Sequence, residues 1–380
     1  MTTAIGPTTR RKVPAEVGVF MALVLITIVF ELLNRWKGGS FLFNTRDNLD
    51  TVFNQARLQI IILQVSITGI IAIGVTQVII LGGIDLSSGS IVGATAMIAM
   101  SFAQTAIVNG NPNPKAIFGP EFMDLPVLIP LVVGLAFGLF AGALNGLLIA
   151  YTRIPPFIAT LGMMVSVRGV SKWWSNGDPV SFPTESFAAI SNGDFLGWVT
   201  GGFRGQEMVE DQMVWVSSLL PAQGLNPVLM FIAIACLFQF LLSYTLYGKR
   251  CYAIGSNEEA ARISGINVTR HKVLVYAIAG GLASFAALLL SSKTLTAQAG
   301  MGLAYELDAI AMAVIGGVSL SGGRGSIFGT VIGALIFGVI ISGFTSIQLD
   351  AYYQEMVKGA IIVGAVVLDQ WRLRRQATRS

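Results

Sequence analysis

Apolar residues along this chain come in long blocks, and polar residues fill the gaps between them. Ten blocks recur: Val17–Leu33, Leu58–Leu81, Ser87–Gln104, Pro126–Ala150, Phe157–Trp174, Pro227–Tyr247, Val273–Leu290, Leu303–Ser319, Ile327–Ser346 and Met356–Leu368. At a rise of about 1.5 Å per residue, about 20 apolar residues cross a hydrocarbon core of about 30 Å. The pattern predicts an all-α polytopic membrane protein with about ten transmembrane segments. The eighth and tenth blocks are short, so eight or nine complete crossings also satisfy it. The first block follows Arg10, Arg11 and Lys12 and resembles a signal sequence. No small-x-small cleavage site follows it, so an uncleaved span is expected.

Two gaps carry most of the polar character. Ser175–Asn226 is rich in Gly, Ser, Pro, Asp and Glu and holds Trp198 and Trp215. Loops of that length are functional or disordered. Its acids, among them Glu185, Asp194, Glu207, Glu210 and Asp211 against the single Arg204, favour contact with a protein over anionic headgroups. Gly248–Lys272 is the more strongly charged gap. Within it Asn257–Ser264 reads as a short exposed helix. Asn257 caps it, Glu258 and Glu259 sit where the helix dipole favours anions, and Gly265 ends it. Such a helix between two spans has no folding reason of its own, which points to a docking partner. His271, flanked by Arg270 and Lys272, reads as a solvated loop residue. A smaller break, GGIDLSSG at 82–89, is echoed by GGVSLSGGRGSIFG at 316–329. The echo is either a parallel internal repeat, of the kind that places broken helices at matching points of transporters, or chance likeness between Gly/Ser/Ile-rich strings.

Composition strengthens the membrane reading. Apolar residues make up 54% and charged residues 12%, with a mean hydropathy of +0.72. A soluble domain carries about a quarter charged residues, so most of this chain meets lipid or buried protein. The 43 glycines then suit close helix approach. The net charge of +4 resides in basic residues gathered at span ends and gives no reason to expect a nucleic-acid partner. Cys236 and Cys251 supply no disulfide framework. Basic residues near span ends place both termini, Arg153, Arg324 and the 248–272 loop on one side, and 175–226 on the other. Arg35, Lys37, Arg46 and Arg57 run against that scheme. The expected organisation is a cytoplasmic tail at 1–16, one transmembrane domain at 17–369 and a basic cytoplasmic tail at 370–380.

Polar groups inside spans must find partners, so they face the bundle or a wet pathway. The candidates for a substrate pathway or gate are Gln64 and Gln77 in the second span, Asp85 and Ser87 at the break, Asn145 in the fourth span and Asp308 opening the eighth. Asp85 either caps the next helix or lies at a gate. The amides either bond between helices or offer hydrogen bonds to a solute's hydroxyls. As a set, their neutrality suits a neutral solute. Glu306 and Asp308 lie where a helix dipole favours acids. The chain has no Gly-x4-Gly-Lys-Ser/Thr nucleotide loop, no zinc spacing and no nucleophile elbow. No catalytic residue, metal or cofactor is expected on it.

Glu259-Ala260-Ala261, followed after three residues by Gly265, resembles the EAA loop of ABC-importer permeases. Four longer strings are similar to the ribose/xylose/galactose/inositol branch of these permeases: YAIGSNEEAARISGINV at 252–268, GGIDLSSGS at 82–90, IPPFIATLG at 154–162 and YELDAIAMAVIGGVSLSGGRGS at 305–326. The resemblance implies a translocation subunit for a monosaccharide or related polyol in a bacterial cytoplasmic membrane, with both termini cytoplasmic. It implies that Asn257, Glu259, Ala260, Ala261, Arg262 and Gly265 couple to a cytoplasmic ATPase subunit, which would carry the ATP and Mg. It further implies a periplasmic sugar-binding protein and a second permease subunit forming a homodimer in lipid. A permease of the related branched-chain amino acid or nucleoside branch, and a stand-alone secondary transporter, are the other readings.

Overall fold

The computed structural model describes residues 15–43, 53–193, 204–209, 212–217 and 225–377. Thirteen α-helices lie among the described residues: α1 (Ala15–Trp36), α2 (Gln55–Ile80), α3 (Ser88–Phe102), α4 (Leu128–Thr152), α5 (Pro156–Trp174), α6 (Glu185–Asn192), α7 (Asn226–Tyr244), α8 (Leu246–Ser256), α9 (Glu258–Ile263), α10 (Val268–Thr294), α11 (Tyr305–Ile315), α12 (Ile327–Ser346) and α13 (Ala351–Ala377). Each expected span has its helix. Six of them, α1, α2, α4, α7, α10 and α12, are long and apolar enough to cross a membrane. The chain is a polytopic all-α membrane protein.

The core is a packed pair, α4 against α10, with α2, α3 and α12 around it. The pair is close because α4 carries glycine at every fourth position, Gly134, Gly138, Gly142 and Gly146, so that all four lie on one face. A Cβ on Gly138 would run into Ser284 and the Gly280 carbonyl, and one on Gly142 would run into the Tyr276 carbonyl. A Cβ on Gly146 would lie 2.6 Å from Val273 Cα. Between membrane helices, where lipid removes the hydrophobic drive, such small-residue faces let backbones approach and gain packing.

Two helices are too short to cross. α3 has 15 residues, about 22 Å of rise, and α11 has 11, about 16 Å. Their N-terminal ends meet. Gly89, in the first turn of α3, packs against the Gly302 carbonyl and the Glu306 carboxylate at the start of α11. From there they run opposite ways. α3 ends beside Trp174, whose Nε1 donates to Ser101 Oγ at 2.9 Å. α11 ends at Gly316, packed on Gly329 in the first turn of α12. The chain reaches α11 through a non-helical segment, 295–304, broken by left-handed residues Leu295, Gly302 and Ala304 at φ +55°, +74° and +65°.

Several expectations change. The short crossings are the third and eighth, not the eighth and tenth. The tenth apolar block belongs to the 27-residue α13, because its helix continues through polar residues that an apolar count excludes. The gap at 248–272 is largely helical, through α8, α9 and the start of α10. Part of 175–226 packs on the body. Strand β1 (Ile107–Val108) pairs with β2 (Asn111–Pro112) in the third-to-fourth connection. Strand β3 (Val180–Ser181) later pairs with β6 (Thr296–Ala297), which follows α10. The buried Ser191 of α6 donates from Oγ to the Leu289 carbonyl of α10 at 2.7 Å. Strands β4 (Arg204–Val209) and β5 (Gln212–Ser217) form an antiparallel hairpin. Arg10, Arg11, Lys12, Arg46, Asp194, Trp198, Glu210 and Asp211 lie outside the described residues.

The glycine face of α4 generates a stability prediction. Gly142→Leu should lower stability in detergent by about 2 kcal/mol or more through overpacking. Leu147→Ala, on an exposed position of the same helix, should cost well under half as much. Thermal unfolding followed by tryptophan fluorescence checks the ratio.

Candidate coupling and translocation site

At one end of the bundle the chain turns through α8 and α9 before entering α10. Asn257 separates the two short helices and caps the second, its Oδ1 accepting the Ala260 amide at 2.9 Å. Glu258 and Glu259 fill the first turn of α9, where the helix dipole favours anions. The helix closes with the Ile266 amide on the Ala261 carbonyl at 3.1 Å and the Gly265 amide on the Arg262 carbonyl at 3.0 Å. Gly265 has φ +83°, a conformation that suits glycine. Among the described residues nothing lies within 4 Å of where its Cβ would be. Ala261 is the buried contact of α9, whereas Glu259, Ala260, Arg262 and Gly265 are exposed and Ile263 is 81% exposed. One ion pair braces α9 to α10: Glu258 accepts from Lys272 at 2.8 Å, and its other oxygen accepts from Arg262 within α9 at 3.2 Å.

The closest contacts of α8 with the bundle are between backbones. Gly255 packs against the Ile80 carbonyl at the end of α2, and against Gly322 and Gly323 in the turn between α11 and α12. The Gly323 amide donates to the Ile80 carbonyl at 2.8 Å. Tyr252 donates to the Gly325 carbonyl at 2.7 Å, and Tyr247 to Gln77 Oε1 at 2.6 Å. His271 is buried here, with Nε2 3.2 Å from Cys251 Sγ. This corrects the solvated-loop expectation: Val268, His271 and Val275 share the inner face of α10, so the flanking charges point away while the ring packs inward. Burial pushes the Cys251 thiol up to about 12, and it likewise raises the Tyr247 hydroxyl.

The interior candidates divide into two sets. Asp85, Ser87 and Asn145 come together: Asn145 Nδ2 donates to Ser87 Oγ at 2.8 Å, which donates to Asp85 Oδ1 at 2.7 Å. The same Asp85 oxygen accepts the Ser87 amide at 2.8 Å, so it orders the residue that precedes α3. All three side chains are buried, and among the described residues Asn145 Oδ1 and the neighbouring Ser88 Oγ have no hydrogen-bond partner. Gln64, Gln77 and Asp308 stand apart from this group. Gln64 is exposed on α2. Gln77 is buried and serves the α8 attachment. Asp308 is buried and meets Lys358 of α13 at 3.3 Å.

The sequence reading missed Arg168 on α5. It donates from Nη1 to the carbonyls of Ala299 and Met301 at 3.0 and 2.9 Å, pinning the non-helical segment that leads into α11. The available signal was a cation inside an apolar block, four residues ahead of Lys172 at its end.

A cavity of about 370 Å³ lies between α9 and the ends of α2 and α4, lined by Gly82, Arg153, Pro155, Glu258, Arg262 and Lys272 among others. It places the 154–156 connection beside α9. Among the described residues no group of His, Cys, Asp and Glu could hold a metal ion.

The buried thiol yields a prediction. With its thiol at about 12 instead of the ordinary 9, Cys251 carries about a thousandfold less thiolate at neutral pH, and thiolate is the reactive form. N-ethylmaleimide should leave Cys251 unmodified in the folded protein and modify it fully after denaturation, as read by mass spectrometry.

Comparison with known proteins agrees with this architecture. The family described as the permease component of the branched-chain amino acid transport system matches residues 57–366. The ribose import permease protein RbsC of Bacillus subtilis is 38% identical over 359 residues, covering 93% of this chain and 92% of that protein. RbsC of Escherichia coli is 37% identical over 309 residues, 81% and 84% of the two chains. The galactose/methyl galactoside import permease MglC of Salmonella typhimurium is 35% identical over 330 residues, 86% and 90%. No solved structure matches significantly. The chain therefore belongs to this family of transport-system permease components.

Proposed function

We propose that this permease moves a monosaccharide or related polyol across a bacterial cytoplasmic membrane, as half of a homodimer driven by a cytoplasmic ATPase. In this reading both termini and α9 face the cytoplasm, and a periplasmic sugar-binding protein delivers the solute at the opposite end. ATP and Mg belong to the ATPase. The observation that carries the reading is α9: a capped, braced helix whose outer surface, with Ile263 81% exposed, is left uncovered by its own chain. A lone exposed apolar side chain is ordinary on a protein surface; what singles out α9 is that Ile263 lies within the 259–265 string that resembles the EAA loop of importer permeases. The similarity to permeases named for ribose and galactose import supports the solute class.

In the pathway set, Asp85, Ser87 and Asn145 would act together at the entrance to α3, while Gln77 would serve coupling through Tyr247. Asp308 would hold α13 through Lys358. Gln64 would contribute on the outer face of α2.

The test is coupling in reconstituted vesicles. Gly265→Asp forces a side chain into φ +83° at about 1–2 kcal/mol and adds an acid at the docking surface. It should abolish ATP-driven uptake while the protein still inserts. Ile263→Asp should break co-purification with the ATPase, again without loss of insertion. Wild-type uptake by both variants at equal expression would remove α9 from the mechanism. Comparing radiolabelled D-ribose, D-galactose and L-leucine in the same vesicles decides the solute class.

A further inference from the structure

The cavity of about 370 Å³ beside α9 is lined by charge. Arg153, Arg262 and Lys272 line it with a single acid, Glu258, so three cations stand against one carboxylate. Thr269 adds a hydroxyl to the wall. The size falls within the range of about 300–1,000 Å³ typical of small-molecule sites.

Glu258 is already satisfied by its own neighbours. One oxygen accepts from Lys272 at 2.8 Å and the other from Arg262 at 3.2 Å. Its charge cancels one of the three cations and leaves a surplus of two positive charges around the cavity. Both partners keep donors to spare, since an ammonium has three and a guanidinium five. The Lys272 side chain is only 17% exposed, so its ammonium is held at the wall instead of sweeping through water.

Arg153 is the cation without a commitment. It is exposed, and its guanidinium makes no hydrogen bond or ion pair among the described residues. Its backbone ends α4 in the left-handed region at φ +59°, with its amide on the Ile149 carbonyl at 3.2 Å. Glycine or asparagine takes such a position without strain, and arginine does not. Strained residues of this kind gather at ligand clamps and switch regions. Here the strained residue brings a free guanidinium to the rim of a cavity that already has surplus positive charge.

We propose that this cavity binds a phosphate-bearing anion, with the Arg153 guanidinium forked onto two phosphate oxygens and Lys272 and Arg262 donating to the others. The planar fork of arginine matches phosphate, and lysine serves it as a point charge. A neutral solute would gain nothing from the surplus charge. A bound phosphate would tie the turn after α4 to α9 across the cavity. The phosphate arrives either as a free anion in the water or on the headgroup of an anionic phospholipid, and both present the same oxygens. The site goes beyond the transport reading and depends on no solute class.

The experiment uses the full-length permease in nanodiscs of phosphatidylcholine, with and without phosphatidylglycerol, alone and assembled with the ATPase. Binding of inorganic phosphate is followed by ³¹P line broadening at constant ionic strength, and retained lipid by native mass spectrometry. In phosphatidylcholine the wild type should broaden the phosphate resonance saturably. Arg153→Asn, which suits the left-handed backbone, and Arg153→Gln should each weaken binding about tenfold or more at an unchanged unfolding temperature. Arg153→Lys should retain part of it. If the source is a headgroup, phosphatidylglycerol will displace the phosphate and stay bound to the wild type but not to Arg153→Asn. If it is a free anion, phosphate will bind equally in both nanodiscs. Equal broadening by the wild type and both charge-removing variants would overturn the proposal. So would loss of phosphate and lipid binding once the ATPase is assembled, because the cavity would then be filled by the partner protein.

Discussion

The end of the bundle that carries α9 depends on backbone touching backbone. Gly255 of α8, Gly322 and Gly323 of the turn after α11, and Gly82 and Ile80 at the end of α2 meet backbone to backbone, with Ser256 Oγ against Gly323 as well. The Gly323 amide closes the contact on the Ile80 carbonyl. A side-chain interface can absorb a displacement by changing rotamers. A glycine junction has none to change, and packed interfaces of this kind move as blocks. The exposed helix α9 is joined to this junction through α8, and its brace to Lys272 ties it to α10 as well. Whatever holds α9 therefore holds the ends of three other elements.

The same device recurs in the interior. Gly89 and Gly93 let the 295–304 segment and the start of α11 lie directly on α3. That closeness brings Arg168 onto the segment's carbonyls, which a continuous helix would satisfy internally. In a span, an unpaired backbone carbonyl costs several kcal/mol. Non-helical backbone at this depth therefore needs a donor, and Arg168 supplies it. Ser171 adds another, from Oγ to the Ala299 carbonyl at 3.3 Å.

The helices were legible because apolar blocks are long and the caps are chemically explicit. Asn257 and Gly265 mark α9 to within a residue. The half-length of α3 and α11 was not legible, since hydropathy counts residues and is indifferent to whether they are helical. Of the left-handed positions that break the chain before α11, Leu295 and Ala304 carry no turn signal of their own. α8 was hidden because Lys249 and Arg250 dominate its composition, while Gly248, Cys251 and Ile254 form its buried side. Of the interior polar residues, Asp85, Ser87 and Asn145 share one network, but Gln77 could not be separated from them in sequence. Its partner Tyr247 is 170 positions away.

The position of the two half-helices gives the glycine junction its consequence. The junction grips the end of α2, which leads through 81–87 into α3, and the turn that follows α11. A displacement of α8 and α9 would therefore reach the approach to α3 and the exit of α11 together. The opposite ends of that linkage converge where Gly89 meets Glu306, with Asn145, Ser87 and Asp85 on the approach side. Two short helices joined N-terminus to N-terminus cannot both shift along the bundle without changing that contact. The interior polar groups thus lie where a displacement of α8 and α9 would alter the packing, beside buried oxygens of Ser88, Asn145 and Glu306 that have no hydrogen-bond partner among the described residues.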